Sequence, residues 1–120
     1  MMVRRENVIV EKSEKFADRI VKMCKYLGQK KSGDKDMIRQ IYRSGTSVGA
    51  NTAESQYAQS RADFLTKLTI ALKEASETKY WLGRLYAGGN LSEKEYDSIY
   101  QDTEEIIKIL TSITGTVKGR

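Results

Sequence analysis

Phe16, Ile20, Met23, Cys24 and Leu27 recur at three- and four-residue spacing, which places them on one face of a helix. The spacing predicts a first helix from about Ser13 to Leu27, with Ser13 capping its start and Gly28 ending it in a left-handed turn. The first dozen residues, Val8-Ile9-Val10 among them, carry no clear assignment. A polar loop follows from Gly28 to Asp34. Met37, Ile38, Ile41, Tyr42, Gly45, Val48, Gly49 and Thr52 then share a broad face of a second helix, from about Asp36 to Tyr57. Gly45 and Gly49 each cost up to ~1 kcal/mol relative to Ala in a helix interior. Their four-residue spacing points to close approach of a neighbouring helix, with a local bend as the alternative.

The third helix is announced by Ser60 and Asp63, an N-terminal capping signature. Phe64, Leu68, Ala71, Leu72, Ala75, Leu82 and Tyr86 form its stripe, and Ala87-Gly88-Gly89-Asn90 closes it. Ser92 and Glu95 make a capping box for a fourth helix. Tyr96, Ile99, Tyr100, Thr103, Ile106, Ile107, Leu110 and Ile113 are its buried face, and Gly115 to Arg120 is expected to fray. Long helices joined by short loops predict an all-α chain, an antiparallel up-down-up-down four-helix bundle, with residues 1–120 as a single domain. The absence of Pro agrees with uninterrupted helices.

Composition narrows the chemistry. The 120 residues include no His and one cysteine, Cys24. That removes the commonest general base and metal ligand, every Cys-His or Ser-His nucleophile pair, and any intramolecular disulfide. Glu54, Glu74 and Glu77 can approach one another, yet a di-iron bundle wants Glu-x-x-His as well as Glu. Salt bridges between helices are the expected use of these carboxylates. No metal, cofactor or small-molecule substrate is expected, and no spacing assembles an acid/base site, so the chain is expected not to be an enzyme. No stretch approaches the ~18 apolar residues of a membrane span, and no signal peptide is recognised, so the expected location is cytoplasmic.

Three constellations remain. Arg43, Ser47, Asn51 and Glu54 lie at offsets of four, four and three, on the side of the second helix opposite Gly45 and Gly49. Short hydrogen-bonding residues there point to contact with another surface; an ordinary exposed face is the alternative. Together with Glu74 they are the candidate polar network. Ile70 and Trp81 fall outside the core stripe of the third helix, eleven residues apart and therefore on one line. They are the candidate oligomer anchors, and packing within the chain is the alternative. Lys12, Lys15, Arg19, Lys22 and Lys25 lie on the outer side of the first helix. Residues 1–33 hold nine basic and four acidic residues, which equals the whole net charge of +5. This face is the candidate nucleic-acid contact, against the plainer reading of a solvated face partly answered by the acidic fourth helix. Apart from Tyr26, the aromatic residues are expected mostly on core faces.

The run Ile41-Tyr-Arg-Ser-Gly-Thr-Ser-Val-Gly-Ala-Asn-Thr-Ala-Glu-Ser55, followed by Ser60-Arg-Ala-Asp-Phe64 and Leu68-Thr-Ile-Ala-Leu-Lys-Glu74, resembles the bacterial 23S rRNA intervening-sequence proteins. Arg43, Ser47, Asn51 and Glu54 match that family's second-helix pattern; Phe64, Ala71 and Glu74 match its third. Thr52 and Ser55 stand where the family usually has Ile and Gly, and Ala71-Leu-Lys-Glu where it usually reads Ala-x-Gly-Ser. The family is similar to the accessory variability proteins of diversity-generating retroelements, which are basic, pentameric bundles. The resemblance implies a four-helix bundle, a ring-like homo-oligomer (a pentamer favoured), no known catalysis, and RNA or DNA as a candidate partner. The expected function is therefore a non-enzymatic oligomeric scaffold. The alternative is a nucleic-acid-binding accessory protein that uses the first helix.

Overall fold

A computed structural model describes residues 4–31 and 33–118, with side chains described from Val8 onward. It contains four helices: α1 Arg4–Gly28, α2 Lys35–Ser55, α3 Arg61–Ala87 and α4 Glu93–Val117. They pack in a ring, α1 on α2, α2 on α3, α3 on α4 and α4 back on α1, which is the four-helix bundle the periodicity predicts. The molecule measures 47 × 22 × 18 Å.

The apolar stripes meet in one core. Ile20, Leu27, Ile41, Val48, Ala71, Ala75, Leu82, Leu85 and Leu110 are fully buried. Gly45 and Gly49 serve a close approach: a Cβ on Gly45 would lie 2.7 Å from Ile20 Cγ2, and one on Gly49 3.1 Å from Ala17 Cβ. Helix α1 therefore nests against the glycine face of α2, and the bend is not the reason for this pair.

The helix starts follow side-chain capping. Asp34, Ser60 and Ser92 accept hydrogen bonds from the backbone N–H groups of Met37, Asp63 and Glu95. The Glu95 carboxylate in turn accepts from Ser92 N at 2.8 Å, completing the capping box. The Ser92 N–H is the main reason the Glu95 carboxyl sits below its ordinary pKa. At one end of the bundle the two loops are tied together. Asp34 N donates to Asn90 Oδ1 at 3.0 Å, and Lys30 Nζ to the Asn90 carbonyl at 3.4 Å.

The structure corrects several sequence readings. Ser13 does not cap α1: it is buried inside the helix and its hydroxyl donates to the Val10 carbonyl. The stripe continues back through Ile9, seven residues before Phe16 and equally buried, so the helix has reason to begin earlier. Gly28 does not take a left-handed turn; among the described residues only Gly89 has positive φ, at 81°. The chain leaves α1 through tightened turns, with Gln29 N donating to Tyr26 O and Lys30 N to Leu27 O. Residues 115–117 belong to α4, and Gly115 is buried. Tyr42 leaves the broad face of α2 and is exposed, while Leu85 and Thr78 join the core.

Candidate functional site: a polar seam on helices two and three and a basic edge on helix one

Arg43 and Glu54 reach across from α2 to α3, with Ser47 and Asn51 between them on α2. Arg43 Nη1 donates to Glu74 Oε2 at 2.9 Å, and its Nη2 donates to Glu77. Trp81 Nε1 donates to the same Glu77 oxygen at 3.0 Å. Trp81 and Arg43 hold the Glu77 carboxyl below its ordinary pKa, the indole contributing most. The carboxylates in turn push the Arg43 guanidinium upward, Glu77 ahead of Glu74. Asn51 Nδ2 donates to the Ser47 carbonyl at 2.9 Å and to its hydroxyl at 3.1 Å. Glu54 pairs with Lys67 at 3.1 Å.

The residues proposed as one network thus occupy one seam in three groups: Arg43 with Glu74, Ser47 with Asn51, and Glu54 with Lys67. Glu77 and Trp81 complete the first group. Beneath it the Thr78 hydroxyl donates to Ser44 Oγ at 2.9 Å in the buried layer. Ile70 and Trp81 lie on the same side of α3. Ile70 is exposed; Trp81 packs partly against the core and edge-on to Tyr80, with ring centroids 5.0 Å apart. The one sequence signal for the Glu77–Trp81 pair is its four-residue spacing within α3. Nothing local announces Lys67, which reaches Glu54 across the α2–α3 turn.

The basic residues of α1 divide. Lys12 pairs with Glu105 at 3.2 Å, and Arg19 with Asp102 at 2.5 Å and with Ser98, all on α4. Lys15 pairs with Glu11 of its own helix at 3.4 Å. Lys22 and Lys25 are exposed and have no ion pair among the described residues. Tyr26 is exposed, with Lys30 Nζ 4.5 Å from its ring centre. Tyr42, Tyr57, Tyr80 and Tyr86 are exposed too, so surface aromatics are commoner than the sequence reading expected. Two hollows, of about 190 and about 470 Å³, follow one another along the α1–α4 seam and meet at Arg19. Among the described residues no three metal-ligating side chains cluster, and no helix is long and apolar enough to cross a membrane.

The family model for the 23S rRNA-intervening sequence protein matches residues 5–112. The chain belongs to this family. It is also similar to a crystal structure of a protein with unknown function from the S23 ribosomal protein family of Bacteroides thetaiotaomicron. The two share 49% identity over 92% of this chain and 98% of that one, with a TM-score of 0.88. No curated protein matches the sequence. Membership in the 23S rRNA-intervening sequence family brings no named enzymatic activity with it.

Proposed function

We propose that this member of the family is a non-enzymatic oligomeric scaffold whose copies meet on the α2–α3 seam, with a ring of five as the favoured assembly. The carrying observation is the state of that seam. Ile70 is exposed there and Trp81 half-buried, and the ion pairs along the seam join Arg43 to Glu74 and Glu77, and Glu54 to Lys67. Covering matched charges costs less than covering bare ones, because partners and hydrogen bonds travel with them into the interface. A helix of 27 residues is about 40 Å long and can supply the ~1,000 Å² or more that a stable interface needs. Size-exclusion chromatography with light scattering tests the reading, comparing wild type with Trp81→Ala and Lys22→Ala. Trp81→Ala is expected to loosen the assembly more than Lys22→Ala does. Equal effects count against Trp81 as an anchor.

A second reading is carried by Lys22 and Lys25 on α1, exposed and without an ion pair among the described residues: a phosphate-tracking face for RNA or DNA. Such binding is expected to tolerate sequence and to weaken steeply with salt. Because Arg19 is committed to α4, the informative variant is Lys15/Lys22/Lys25→Glu. Titration of structured RNA and duplex DNA at low and physiological salt checks it. Binding that ignores salt and charge reversal rules out α1 as the contact.

A further inference from the structure

Gly83 is a helix-interior glycine without a packing role inside its own chain. Gly45 and Gly49 make room for Ile20 and Ala17, but a Cβ on Gly83 would meet nothing within 4 Å. A glycine there weakens α3 relative to alanine and gains no contact within the bundle that an alanine would forbid. It lies at an open groove of about 370 Å³ on the α3–α4 face. Tyr80 of α3 and Tyr96 and Tyr100 of α4 line the same groove. These rings are already held in place. Tyr96 stacks on Tyr86 with centroids 4.4 Å apart and lies 5.5 Å from Tyr100, and the Arg84 guanidinium stands 5.7 Å from the centre of the Tyr80 ring. Lys79 on the rim pairs with Glu104 at 2.9 Å. Pre-ordered tyrosines lose little conformational freedom when covered, and they are enriched where proteins meet. Tyr80 nonetheless keeps 58% exposure.

Symmetry chooses the occupant. A seam that meets its own copy makes a two-fold pair, whereas a ring larger than a dimer joins two unlike surfaces of each chain, head to tail. The helices contact one another only around the ring α1, α2, α3, α4, so the bundle has four side faces. The α1–α4 face lies opposite the α2–α3 seam, and copies joined through opposite faces run on in a line. Closure into a ring of five needs two surfaces whose outward directions differ by about 110°. That is close to the turn of about 90° between adjoining faces of a four-helix bundle. Two faces adjoin the seam. On α1–α2 the helices are closed up, with Ile20 against Gly45 and Ala17 against Gly49. On α3–α4 the groove at Gly83 stands open. We propose, resting on the reading that copies assemble through the α2–α3 seam, that the α3–α4 tyrosine groove is the receiving half of that interface and takes the seam of the next copy. The exposed Ile70 is the apolar group that the seam brings to it, and Gly83 leaves the space.

The test uses the full-length protein and reads molar mass by sedimentation velocity. Gly83→Gln fills the groove with a neutral, helix-favouring side chain, and Tyr80→Ala removes an exposed wall. Ile70→Arg spoils the seam at an exposed position without touching Tyr80, which Trp81 does touch. Each variant alone is expected to lose the wild-type mass and to sediment as a single chain, with a melting curve showing that it is folded. The deciding measurement mixes Ile70→Arg with Gly83→Gln in equal amounts at the highest soluble concentration, since an open pair lacks the added strength of a closed ring. The first variant keeps an intact groove and the second an intact seam, so one sound junction is left. The mixture is expected to show the mass of two chains, and neither variant alone is. Gly83→Gln and Tyr80→Ala keeping the wild-type mass overturns the groove and leaves assembly through the seam standing. A mixture that stays at the mass of one chain overturns the pairing of seam with groove. A wild type that is itself a single chain overturns the seam reading along with this one. Loss of mass on Lys22→Ala, on the opposite face, equal to that on Gly83→Gln also overturns the proposal.

Discussion

Asn90 shows how much one side chain can hold. It is buried at the loop end of the bundle, and its carbonyl oxygen and its backbone carbonyl take donors from the opposite loop. Asn90→Ala leaves the Asp34 N–H without its partner and is expected to cost about 1–3 kcal/mol, read as a lower melting temperature. Cys24 is inert by placement. Burial pushes its thiol up to about 11, so at about pH 8 it remains protonated. Alkylation of the native protein is expected to be slow and to become fast only on unfolding, which a mass-spectrometric time course with and without denaturant checks. Glu77 gives a pH signature. Its folded pKa is lowered, so its contribution is present above the ordinary carboxylate range and is lost as pH falls through the folded value. Glu77→Gln should therefore show a flatter fall in melting temperature between about pH 5 and pH 3 than wild type. Partial exposure of both Arg43 and Glu77 keeps that difference small.

At the scale of the helix, two glycines with the same intrinsic cost are expected to respond in opposite ways. Gly45→Ala gains up to ~1 kcal/mol of helix propensity but drives a methyl against Ile20, and overpacking costs about 1–3 kcal/mol. A Cβ on Gly83 meets nothing within 4 Å, so Gly83→Ala keeps the propensity gain. Chemical denaturation is expected to show the first less stable and the second more stable than wild type. The difference lies in packing, which also marks what sequence could convey. Periodicity and caps reveal the existence and order of four helices because both are local. Boundaries were less legible. A buried Ser13 looks like a cap when Ile9 is not counted into the stripe, and Gly115 looks like a stop although α4 carries on past it. The stripe Arg43, Ser47, Asn51 and Glu54 could be read as one face of α2. Its division among Glu74, Ser47 and Lys67 depends on the register between two helices, which no local pattern encodes.

At the scale of the whole molecule, the bundle has two unlike sides. The α2–α3 side carries paired charges and partly bare apolar residues; on the α1–α4 side Lys12 and Arg19 bridge to α4, and Arg19 lies between two hollows. Self-assembly is proposed on the first side. Assembly through the seam is the central claim, and molar mass tests it most directly. Light scattering of the full-length protein at micromolar concentration is expected to give a multiple of the chain mass, five chains being favoured, and a smaller mass for Trp81→Ala. A wild-type mass of 13.6 kDa, that of a single chain, would contradict it.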